Sequence, residues 1–220
     1  MPPRAARMDP GERRKLLVQA AMKSAGRRSL AGVTADDVAR EAGVSRSAVL
    51  KYFPDRDAIV CAVLDEVERQ VRERTERVKA STEDPVRLLV NLSVAYAASL
   101  ETELDAAMIV LSWSAFFREA KIVARIGQMS LGFVTLVEET IREGIRQRKI
   151  PAEIDIELAA WTFVGYSATV AAAKLFGRPP EWIYHLQIAL LRNLIGDRAV
   201  DRALAAGSPH ALTSDRTQRA

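Results

Sequence analysis

The stretch TADDVAREAGVSRSAVLKYFPDRDAI, Thr34 to Ile59, permits few folds because its stop and start signals follow so closely. Thr34 stands three residues before Asp37, the capping-box spacing that satisfies free backbone donors at a helix start. Asp36 and Asp37 suit the positive end of the same helix. Val38, Ala39 and Ala42 fall on its inner face. Gly43 follows, and a sharp helix-to-helix turn often needs the positive φ that glycine adopts with least strain. Ser45 is placed to cap a second helix, which the spacing runs to Phe53. Pro54 cannot continue it. Asp55 then caps a long helix over about 55–80, with Ile59, Val60, Val63, Leu64, Val67 and Val71 at helical spacing.

The rest of the chain reads as helix too. A helical pattern runs from Glu12 to about Ala25, and Gly26 with the RRS segment ends it. Long apolar helices are expected at about 85–101, 104–118, 121–147, 154–175 and 180–195, punctuated by Pro85, Pro151 and the Pro179-Pro180 pair. Only eleven glycines and nine prolines occur in 220 residues, and runs of alternating Val, Ile and Thr are missing, so the expected class is all-α. The organisation predicted is a disordered basic arm over 1–10, a three-helix domain over 11–55, a larger helical domain over 56–196, and a frayed polar tail over 197–220.

Charge is unevenly placed. Net charge is +4, yet eleven basic and only five acidic residues precede Asp55. A basic excess in one segment is the electrostatic footprint of a nucleic-acid partner. Two short helices joined by a tight glycine turn form a helix-turn-helix, whose second helix enters the major groove and touches bases with its first turn. That turn carries Ser45, Arg46, Ser47 and Ala48. Arginine can make two hydrogen bonds to one guanine edge, and an alanine methyl can touch a thymine methyl. Lys51 and Tyr52, one turn on, suit phosphates. Val44, Val49 and Phe53 would face inward. An ordinary surface helix of a bundle has the same spacing, so spacing alone leaves both readings open.

The segment VTADDVAREAGVSRSAVLKYFPDRDAIVCAVL closely resembles the DNA-binding segment of the TetR family of bacterial transcriptional regulators. The match covers about residues 12–67. The resemblance implies an N-terminal three-helix DNA-binding domain and a larger all-helical domain that binds a small molecule and dimerises. By position it implies DNA contacts from Thr34, Ser45, Arg46, Ser47, Tyr52 and Arg56, the last at a phosphate near the start of the long helix. One position departs: Leu50 stands where the family usually has a tyrosine that touches the DNA backbone. Leu50 cannot hydrogen-bond, so either that contact is lost, weakening binding or altering base preference, or a neighbour such as Lys51 or Tyr52 replaces it. The C-terminal half resembles BetI-type regulators only loosely, and their ligand is not transferred.

For the larger domain the resemblance implies an effector pocket. Most aromatic residues lie between 96 and 176, and Trp113, Phe117, Phe133, Trp161 and Tyr166 are the candidates to line it. Plain core is the alternative role for each. No acidic cluster stands among them, so a small, neutral or amphipathic, largely apolar molecule is expected. The resemblance also favours a homodimer joined through the last two long helices. The stretch 158–175 is rich in Ala and Gly, and Ile183, Leu186, Leu190, Leu191 and Leu194 form a stripe. The same stripe could pack inside its own subunit. The expected function is a repressor released from a palindromic operator by such a molecule. The alternative is a DNA-binding dimer that answers to a protein partner or acts architecturally.

Enzymatic readings find little support. Gly165-Tyr166-Ser167-Ala168-Thr169 lacks the final glycine of G-x-S-x-G and sits in a helical pattern. His185 and His210, the only histidines, have no partners at metal-ligand spacing, so no metal or cofactor is expected. The single cysteine, Cys61, forms no intrachain disulfide and fits a reducing, cytoplasmic setting. No apolar signal core opens the chain, and the charge-free stretch Leu158 to Ala173 falls short of the ~20 residues of a membrane span, so no membrane is expected.

Overall fold

The computed structural model describes residues 8–28, 30–102 and 120–206. Among them are nine α-helices and one short 3-10 turn: α1 Pro10–Arg28, the turn Leu30–Gly32, α2 Ala35–Ala42, α3 Arg46–Leu50, α4 Arg56–Ala80, α5 Pro85–Thr102, α6 Ala120–Arg146, α7 Ile156–Leu175, α8 Pro180–Ile195 and α9 Asp197–Ala205. The class is all-α, as expected. The predicted helix over 104–118 lies outside the described residues, as do residues 1–7 of the basic arm. The described chain forms two compact units. One runs to Glu68 and takes in 120–125; the other holds 69–102 and everything described from Ile126.

In the first unit, α1 begins two residues earlier than its periodicity suggested. The Asp9 carboxylate caps it, accepting from the Gly11 N–H at 2.8 Å, and Pro10 occupies the first helical position, where a missing N–H costs nothing. α1 packs on α2. Leu17, Leu30, Val38, Val49, Phe53 and Val60 are buried in this unit. Arg14 lies over the Phe53 ring, 5.6 Å from its centre. Arg125 of α6 grips α4, donating to Asp65 Oδ1 at 3.1 and 2.9 Å and to Glu68.

In the second unit, α8 packs on α7, and α5 lies against α7, α8 and α9. Leu89, Val137, Ile141, Ala160, Leu191 and Ile195 are fully or nearly fully buried in its core. The buried Gln187 amide of α8 donates to the Ser93 carbonyl of α5, so this core polar group is satisfied. Asp84 caps α5, accepting from the Val86 and Arg87 N–H groups at 2.9 and 3.0 Å. Its other oxygen accepts from Lys149 at 2.7 Å, which ties the α6–α7 connection to α5.

The expected polar tail is structured in its first part. Residues 197–205 form α9, with Ala199, Val200 and Ala203 buried. Gly196, at φ 91°, breaks α8 and lets the chain fold back. The signal was an Ala-Val-x-x-Ala-Leu stripe, too small to stand out beside so many charges. α7 also differs from expectation. It is 20 residues long, and its 156–173 portion meets a membrane span's length and composition, with a third of that portion buried. Ala159, Ala160, Phe163, Val170 and Ala171 pack inward, while Leu158, Trp161 and, just past its end, Phe176 stand exposed.

Candidate nucleic-acid interface

The reading head is assembled by local chemistry. Thr34 is extended, at φ −122° and ψ 162°; its hydroxyl oxygen accepts from the Asp37 N–H at 3.2 Å and its hydroxyl donates to Asp37 Oδ2 at 2.7 Å. Asp37 Oδ1 accepts from Arg40 at 3.1 Å. A carboxylate in the first turn of α2 is thus almost buried yet bonded on both oxygens. α2 ends at Gly43, which is left-handed at φ 64° and ψ 36°. The Val44 N–H returns to the Ala39 carbonyl at 3.0 Å and the Gly43 N–H to Arg40 at 3.4 Å, the paired bonds of a Schellman stop. No atom lies within 4 Å of where a Gly43 side chain would begin, so the glycine is required by backbone angle alone.

Ser45 caps α3, accepting from the Ala48 N–H at 3.2 Å, with Ser47 Oγ 3.0 Å from its own oxygen. α3 is shorter than expected. It stops at Leu50, and Lys51 and Tyr52 form a turn before Pro54 rather than a further helical turn. Val49 and Phe53 anchor it inward; Val44 is half-buried. Ser45, Arg46, Ser47 and Lys51 are exposed, and Ala48, Leu50 and Tyr52 half-buried. The exposed groups form one polar, basic ridge fixed by a buried anchor. Thr34 is exposed at the head of α2, its hydroxyl already engaged by Asp37.

Two residues have partners that sequence did not reveal. The Arg46 Nε lies 3.5 Å from Asp36 Oδ1 of α2, both largely exposed. Arg56, expected at a phosphate, donates from Nε and Nη2 to the Ala31 carbonyl at 3.1 and 2.8 Å. It fastens the start of α4 to the 3-10 turn 25 residues earlier. Neither contact has a local sequence signal, because each joins separate elements.

Three of the five effector candidates lie among the described residues. Trp113 and Phe117 lie outside the described residues. Phe133 is half-buried, its ring 6.3 Å from Phe163 in the core. Tyr166 is half-buried, and Trp161 is 46% exposed. A polar spot that the sequence reading did not single out lies inside the second unit, where the Tyr96 hydroxyl meets Ser167. Burial pushes that hydroxyl's pKa up, with the Ser167 bond and the Arg74 charge pulling against it. Of the seam candidates, Ile183 and Leu191 are buried in their own subunit's core, and Leu186, Leu190 and Leu194 are half-buried. The outward apolar groups nearby are Leu158, Trp161, Phe176 and Trp182.

Known proteins agree with this geometry. Residues 17–63 match the family described as bacterial regulatory proteins, tetR family. The HTH-type transcriptional regulator BetI of Burkholderia thailandensis is 30% identical over 108 residues, 49% of this chain and 54% of BetI. The chain thus spans about half the length of the curated relatives it matches. Among solved structures, a putative TetR-family regulator from Rhodococcus sp. superposes with a TM-score of 0.73 at 17% identity, covering 83% of this chain and 98% of that one. The fatty acid degradation regulator FadR of Bacillus halodurans gives 0.70 at 15% identity, over 86% and 97%. Bacillus subtilis FadR, solved in complex with stearoyl-CoA, gives 0.70 at 17% identity, over 83% and 98%. At such identities these structures speak for the fold. Residues 17–63 thus match the tetR-family model across the reading head, and the described helices share the all-helical fold of TetR-family structures.

Proposed function

We propose that this protein is a homodimeric transcriptional regulator that binds a palindromic operator and is released from it by a small, largely apolar molecule. The observation that carries the DNA-binding part is the ridge of Ser45, Arg46, Ser47 and Lys51, exposed on a short helix whose opposite face is locked by Val49 and Phe53. In this reading α3 enters the major groove, Arg46 reads a guanine edge, and Ser45, Ser47 and Lys51 bond bases or phosphates. Ala48 lets the backbone approach. Tyr52 and Lys51 take over from Leu50, whose side chain cannot hydrogen-bond. Arg56, which holds the Ala31 carbonyl and lies 3.9 Å from Asp57, stands at the start of α4, where a phosphate would meet free backbone N–H groups.

Dimerisation supplies two reading heads about 34 Å apart, the repeat of one helical turn of DNA. The exposed apolar groups of α7 and α8 support a seam there, with Trp161 reassigned from the pocket to the interface. Leu158 and Trp161, exposed one helical turn apart on α7, are apolar groups of the kind an interaction site uses. Leu186, Leu190 and Leu194 border it, while Ile183 and Leu191 hold α8 to its own core.

Release is a population shift. The dimer samples a head spacing that fits DNA and one that does not, and an effector favouring the second empties the operator. α4 carries the change, and Arg125 couples it to α6 through Asp65 and Glu68. An apolar effector is supported by the aromatic second unit, and the FadR complex with stearoyl-CoA is a precedent on a similar fold. Fluorescence anisotropy of a labelled operator, at fixed salt with excess competitor DNA, tests the reading head. Arg46→Ala should cost about 1–3 kcal/mol and relax sequence preference. Unchanged affinity and preference would reject the assignment of α3 as the reader.

A further inference from the structure

The second unit carries a concave basic surface that DNA reading does not use. A groove of about 510 Å³ opens between the α6–α7 connection and α9. Arg148, Lys149, Arg198 and Arg202 line it, against one lining carboxylate, Asp197. Lys149 is already neutralised by Asp84, 2.7 Å away. Arg202 spends only its Nε, on the Arg198 carbonyl at 3.0 Å. Arg148 and Arg198 make no ion pair among the described residues. The nearby acids are engaged elsewhere: Asp201 holds Arg192 at 2.7 Å, and Glu143 holds Arg146 and Gln147.

Three guanidinium groups thus share one groove with a single carboxylate. On α6, by contrast, Arg142 pairs with Glu138 and Arg146 with Glu143. A concave site lined by one sign of charge focuses its field on a counter-ion. Guanidinium forks match phosphate oxygens two at a time. Its apolar lining is Ile145, Ile150, Pro151 and Ile195, and the Ile150 side chain packs closely on Gly144. Apolar lining beside three arginines without ion pairs among the described residues suits a compact anion with a small apolar part.

We propose that this groove is an anion-binding site for the phosphoryl or pyrophosphoryl group of a small soluble molecule, separate from the DNA-reading ridge and from the apolar effector. Titration calorimetry of the full-length protein with inorganic pyrophosphate, at constant ionic strength set by chloride, tests it. One saturable site per chain is expected. It should weaken at least about tenfold, one lost charge-assisted contact or more, in Arg198→Gln/Arg202→Gln. It should persist in Arg46→Ala, whose basic ridge is the competing location. Thermal melts of each variant establish that both fold. Loss in Arg46→Ala with retention in the groove variant would overturn the proposal, as would the absence of saturable heat. Phosphatidylglycerol vesicles form a second arm. Vesicle binding that depends on Arg198 and Arg202, without pyrophosphate binding, would assign the site to a lipid headgroup and overturn the soluble ligand.

Discussion

Replacing Gly43 by alanine should damage the protein by an amount that can be worked out beforehand. The residue sits at φ 64° and ψ 36°, where an L side chain costs about 1–2 kcal/mol. Alanine also stiffens the unfolded chain, which returns about 0.4–1 kcal/mol. No atom lies within 4 Å of the added carbon, so packing contributes neither clash nor gain. The net loss is then about 0–1.6 kcal/mol, about 0.8 kcal/mol at the midpoints, with a melting temperature lower by roughly 2–4 °C per kcal/mol for a chain of this size. Urea denaturation at fixed protomer concentration would read it. Gly43→Asn should recover part of the loss, since asparagine tolerates this conformation. The turn also sets the angle between α2 and α3, so operator affinity should fall by more than stability alone explains. An alanine variant as stable as the parent would refute the claim that backbone angle is what glycine supplies.

Other expectations follow from single contacts. Ser45→Ala removes the α3 cap and should cost about 0.5–2 kcal/mol of stability, measured by denaturant titration. Leu158→Glu with Trp161→Glu places charge on the proposed seam, and light scattering should report monomers; a dimer of unchanged affinity would place the interface elsewhere. Asp84 is partly buried, which disfavours its charge, but Lys149 and the Arg87 and Val86 N–H groups outweigh that and hold its pKa below the usual carboxylate value. Its contribution to stability is therefore present above the ordinary aspartate pKa and fades as pH falls through the lowered folded value. Lys149→Met should shift the onset of acid unfolding to higher pH, and Asp84→Asn should flatten this part of the profile.

The parts that were legible in sequence are those set by neighbours in the chain. Thr34, Gly43, Ser45 and Asp55 each act within four residues, and their caps and turn appear where the spacing put them, while α3 ends at Leu50, short of the Phe53 expected before Pro54. α8, bounded by Pro180 and Gly196, was legible for the same reason. Contacts between distant segments were not. The Arg56 guanidinium finds a carbonyl 25 residues away, and Asp36 reaches Arg46 across the turn. α7 is apolar on nearly every side, so periodicity could not say which face looks outward, and Trp161, a pocket candidate, stands 46% exposed. Ile183 and Leu191 form a regular stripe whether α8 faces a partner or its own core; the structure turns both inward. α9 was missed because its buried side is only Ala199, Val200 and Ala203, a stripe that matters once Gly196 folds it back.

The most direct test of the central claim is selection of binding sites from a random duplex pool, followed by anisotropy on the winning sequence at fixed salt. The expected winner is a palindrome with half-sites about one helical turn apart, bound by two protomers and lost in Arg46→Ala. A pool with no enriched sequence, and binding equal for all duplexes that falls steeply with salt, would contradict it.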